Sequence, residues 1–60
     1  MADFTRMELG SIRELVSGHI TTAAKLKEYS AKCEDAEIKQ MFTQSSKDAE
    51  QAAKNLIDML

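Results

Sequence analysis

The 60-residue chain holds one histidine, His19, and one cysteine, Cys33, and these are its most reactive side chains. A lone imidazole can serve as a general base, a transition-metal ligand or a proton-sensitive packing group. As a ligand it needs two or three companions, yet helical spacing turns Glu14, Glu28 and Glu50 away from its face. As a base it needs a nucleophile, and Cys33 lies far from it both in sequence and in the expected hairpin. The thiol therefore reads as a small core residue. The sequence contains no glycine-rich phosphate loop, no Ser/His/Asp set and no paired-carboxylate site. We expect no enzymatic activity, no catalytic residue, no cofactor and no metal.

The role of His19 depends on the elements that carry it. Apolar and small residues recur three and four apart in two stripes. The first runs Leu9, Ile12, Val16, His19, Ala23, Leu26, Ser30, Cys33, and the second Ile38, Phe42, Ser45, Ala49, Ala52, Leu56, Met59. That period places each stripe on one face of an α-helix. Two such helices across a very short turn must run antiparallel. The fold class is all-α: a two-helix hairpin that dimerises into a four-helix bundle.

The boundaries follow from local chemistry. Thr5 and Glu8 form a capping box, and Phe4 before it and Leu9 beyond it are placed as a hydrophobic staple. Asp35 is a good N-cap for the second helix, with Glu37 in its first turn. The whole chain, 1–60, is one hairpin domain, with a helix over about 6–33, a turn at 34–35 and a helix over about 36–59. Glu28–Lys32 and Glu50–Lys54 are expected i, i+4 pairs on the outside. Gly18, among Ser17, Thr21 and Thr22, is a weak point that packing of the opposite face is expected to carry.

His19 and Ala49 are equally distant from Glu34 in the turn, so the hairpin should bring them level. Ala23, Ala24, Ala49, Ala52 and Ala53 make that zone narrow and leave room for the ring. The leading reading is a core histidine hydrogen-bonded to Ser45, Ser46 or a buried water. A metal role and a pH-responsive contact rank below it. Tyr29 should cap the apolar layer near the turn, and Met41, Ile57, Met59 and Leu60 should form edge contacts.

So small a chain leaves much surface exposed and usually needs disulfides, a metal or oligomerisation. One cysteine allows no internal disulfide. Oligomerisation remains. We expect a homodimer through the seam of Leu9, Ile12, Val16, His19, Ala23 and Leu26 with Ile38, Phe42, Ala49, Ala52 and Leu56. The net charge of −2 gives no general attraction to nucleic acid or anionic lipid. The sequence has no apolar run of bilayer length and no signal-like start, which suits the cytoplasm.

The runs Met7-Glu-Leu, Tyr29-Ser-Ala-Lys-Cys33-Glu-Asp-Ala-Glu-Ile, Gln40-Met-Phe42 and Asn55-Leu-Ile-Asp-Met-Leu60 resemble the small ferritin-like proteins related to spore coat protein F. The similarity covers most of the chain from about Leu9, and the Tyr29–Cys33 turn followed by Phe42 is its most recognisable part. It implies a ferritin-like helical bundle and a connection with sporulation. Members often carry a Glu in the first helix and two histidines three apart in the second, echoing a di-iron site. His19, Ala49 and Ala52 stand in those places here, so the resemblance counts against iron chemistry. The expected function is a non-enzymatic structural or assembly protein, homodimeric and coat-related. The alternative is a small binding module, either a protein adaptor or an RNA-binding hairpin dimer.

Overall fold

The computed structural model describes residues 3–60, which form two helices, α1 (Arg6–Lys32) and α2 (Ala36–Asp58). They lie antiparallel across a three-residue connection, Cys33 to Asp35. The expected all-α hairpin is present, with each helix ending one residue earlier than its sequence boundary: Cys33 and Met59 are the C-caps.

Both helix starts use the chemistry legible in the sequence. Thr5 N–H donates to Glu8 Oε1 at 2.9 Å, and Glu8 N–H donates to Thr5 Oγ1 at 3.1 Å, closing the capping box. At α2, Ile38 N–H donates to Asp35 Oδ1 at 3.1 Å. These contacts satisfy donors that have no partner inside the helix. Helix α1 runs unbroken through Ser17, Gly18, Thr21 and Thr22. A Cβ built at Gly18 would meet nothing within 4 Å, so Gly18 is not a point of close approach within the hairpin.

The helices touch through small residues. Ala23, Ala53 and Ser46 are buried, and Ser46 Oγ donates to the Ala23 carbonyl at 2.9 Å. Among the described residues, only Ile12, at the open end, adds a large buried side chain. Nearer the turn, Ser30 Oγ lies 3.2 Å from the Lys39 carbonyl and 2.7 Å from Thr43 Oγ1. Thr43 Oγ1 donates to the same carbonyl at 2.9 Å, so the Ser30 hydrogen is shared between Thr43 and Lys39. Tyr29 and Phe42 pack as tilted rings with centroids 6.0 Å apart, which puts Tyr29 over the apolar layer beside the turn as expected.

This contact lies one residue away from the expected one on α2. The spacing assigns Ser45 and Ala52 to the seam, but the helix contact is made by Ser46 and Ala53, with Ser45 exposed and Ala52 half-buried. Ala24, assigned to the narrow interior, is also exposed. Glu50 reaches across the hairpin to Lys27 at 2.6 Å rather than along its own helix to Lys54. Glu28–Lys32 forms as expected, at 3.1 Å.

The result is one helix thick. The Cα positions extend 46 × 16 × 10 Å with a radius of gyration of 14.2 Å, against about 10 Å for a compact domain of this length.

Ser46→Ala should lower stability by about 1 kcal/mol, the usual net contribution of one hydrogen bond. Ser46→Leu should cost more, about 1–3 kcal/mol or above, because the enlarged side chain has no space between the helices; thermal unfolding of both variants measures the difference. The Thr5 backbone N–H, and then its side chain, hold the Glu8 carboxyl below the ordinary carboxylate range. A depressed folded-state pKa stabilises above the unfolded value and is lost as pH falls through the folded one. The protection factors of the first-turn amides of α1, that is their exchange corrected for the intrinsic rate at each pH, should therefore fall on acidification below the usual Glu range, and Glu8→Gln should remove that pH dependence.

Candidate functional site

His19 lies at mid-length on α1 and is half-buried. In the register set by Ala23 opposite Ser46, it is level with Ala49 and Glu50. The juxtaposition of His19 with Ala49 read from the sequence is thus present. Ser46 does not serve the imidazole with its proton, because that hydroxyl donates to the Ala23 carbonyl. Ser45, the other expected partner, is exposed. His19 borders an open surface, where sequence spacing alone suggests an enclosed core.

Cys33 sits at the other end of α1 as its C-cap, half-buried, with its backbone N–H donating to the Ser30 carbonyl at 3.2 Å. Its thiol points to the Asp35 carbonyl at 3.6 Å. No activating base touches it there. Among the described residues, no three His, Cys, Asp or Glu side chains lie close enough to hold a metal ion together.

The surface depressions are shallow. One, about 520 Å³, is bordered by Glu37, Gln40, Met41 and Gln44, all on the outside of α2 and far from His19. Another at the open end is lined by Phe4, Met7, Glu8, Ser11, Ile12 and Met59. None brings a nucleophile, base and oxyanion donor together, which acyl or phosphoryl transfer requires.

The candidate functional feature is the pair of broad faces that a one-layer hairpin leaves uncovered. Helical geometry and the Lys27–Glu50 bridge fix which residues share each face. One face carries Leu15, His19 and Leu26 from α1 beside Ser45, Ala49, Ala52 and Leu56 from α2. By helical spacing Glu8 joins this face at the open end, beside Ser11 and Met59, and from there to the turn no charged side chain shares its phase. The half-buried α2 residues Phe42, Ala49, Ala52 and Leu56 all lean toward it.

The other face sets basic side chains around apolar grooves, with Leu9, Ile20 and Ile57 exposed on it. Lys27 and Glu50 frame a groove with Ile20 and Ala24, and Arg13 borders one with Leu9, Val16 and Ile57. Lys39, Lys47 and Lys54 of α2 fall on the same side by helical spacing. Neither helix alone carries a basic stripe; the hairpin gathers one from two helices. The missed signal is the common helical phase of Lys39, Lys47 and Lys54 with Glu50, which gains meaning only when α1 lies alongside.

Much apolar surface stays in water: Leu15 is 53% exposed, Ile20 54%, Met41 67% and Ile57 49%. Leu9 and Ile38, placed in the seam from sequence, are also exposed in the hairpin. The accessible area is 4930 Å², whereas a folded monomer of 6.7 kDa should expose about 3,900 Å². No helix of the described residues is long and apolar enough to cross a membrane. The chain matches no protein-family model, no curated protein and no solved structure.

Proposed function

We propose that this protein is a non-enzymatic structural or assembly component whose working form is a homodimeric, ferritin-like four-helix bundle. The observation that carries this reading is the excess exposed area, about 1,000 Å² above that of a compact monomer of equal mass. A standard protein interface buries about 800 Å² per partner. A second hairpin would therefore cover the excess and give the assembly the second layer that a stable domain requires. The absence of a catalytic constellation among the described residues is consistent with a packing role. The resemblance to spore-coat-related ferritin-like proteins supports the bundle and a coat-associated setting.

The basic face supports a second reading, a binding module for an acidic partner such as RNA. Arg13, Lys27, Lys39, Lys47 and Lys54 would contact phosphates, and Glu50 would weaken that contact where it neutralises Lys27.

Native mass spectrometry of protein purified without chelator should give a metal-free dimer. A monomer at micromolar concentration would overturn the assembly reading, and a dimer with stoichiometric metal would make the His19 region a site. The second reading predicts retention on a phosphate-rich polymer that falls steeply between 50 and 200 mM salt. Flow-through at low salt would dismiss it.

A further inference from the structure

Resting on the dimer reading above, we infer that a second copy of this chain packs on the neutral face, against Leu15, His19, Leu26, Ser45, Ala49 and Ala52, and that the basic face stays in solvent. A two-fold interface sets the same patch of each copy against itself. On the basic face that would bring Arg13, Lys27, Lys39, Lys47 and Lys54 toward their own duplicates, with Glu50 and, one turn beyond Lys54, Asp58 as the acidic side chains among them. Like charges removed from water and brought together oppose association. The neutral face carries only Glu8, at its open end, and no charged side chain along its middle.

Shape points the same way. The turn end of the neutral face is built up by Tyr29 and Phe42, whose rings pack together. Its middle is a waist of small side chains, Ser45, Ala49 and Ala52, and His19 is the one ring at that level. Small residues let the helices of a second hairpin approach closely at the waist, where His19 fills the remaining space. Full overlap of two hairpins can be reached with the turns at the same end or at opposite ends. His19 lies at the midpoint of α1, so either arrangement brings it level with His19 of the second copy. The half-exposed histidine thus becomes a central packing residue in the dimer.

A matched pair of substitutions tests the choice of face. Ser45 and Ala24 are both exposed, both helical, and level with each other on opposite faces. Glu is a good helix former, so Ser45→Glu and Ala24→Glu should each keep the hairpin, which circular dichroism verifies. Sedimentation equilibrium on full-length protein reads the dimer Kd. Ser45→Glu should raise it by at least about 100-fold, since its carboxylate would be buried against apolar groups. Ala24→Glu should leave it within about threefold. A larger effect from Ala24→Glu, equal effects, or no effect from either would overturn the inference while leaving the dimer itself standing. A monomeric parent protein would instead remove the assembly reading on which it rests.

Discussion

The close approach of the two helices through small residues is the constraint on which the rest of this structure depends. Ser46, 1% exposed, sits directly against the backbone of α1 and donates to the Ala23 carbonyl. Ala23 and Ala53 occupy the same contact. Interaxial spacing follows side-chain size, so at this separation Leu26 and Leu56 have no place between the helices. They move to its flanks and remain half-buried. The large apolar side chains that normally form a core are thereby displaced onto the surface. A hairpin joined through serine and alanine has a well-defined register and little core.

That displacement gives the two faces their separate characters. Side chains a few tens of degrees to one side of the contact line are neutral: His19, Leu26, Ala49, Ala52, Leu56. Those on the other side include Arg13, Lys27, Lys39, Glu50 and Lys54. The Lys27–Glu50 bridge lies on this second side, with both side chains largely in water at 65% and 49% exposure. An exposed pair of that kind contributes little to stability. Its significance is orientational, because it shows that α1 and α2 turn their basic residues the same way. A net charge of −2 therefore conceals a molecule with one basic and one neutral face.

The same arrangement explains why His19 has no companions for chemistry. Its neighbours on the neutral face are aliphatic, alanyl or hydroxyl side chains. The nearest carboxylate by level, Glu50, is on the opposite face and engaged with Lys27. Beside the imidazole, Ala49 and Ala52 of α2 provide only methyl groups.

The local features were legible in the sequence because they rest on interactions within four or five residues. Thr5–Glu8, Asp35 and the three-four spacing determined where the helices begin, that there are two, and that a short turn makes them antiparallel. The level pairing of His19 with Ala49 followed from counting outward from the turn. The exact line of contact was not legible, since Ser45 and Ser46, or Ala52 and Ala53, are near equivalents by periodicity. Only the tertiary structure chose Ser46 and Ala53, through a hydrogen bond to the backbone of the other helix and the fit of its side chains. The same choice assigned Glu50 to Lys27 instead of Lys54 and gathered the basic residues of two helices on one face. Sequence determines the phase of each helix about its own axis; the rotation of one helix against the other depends on contacts between residues distant in the chain.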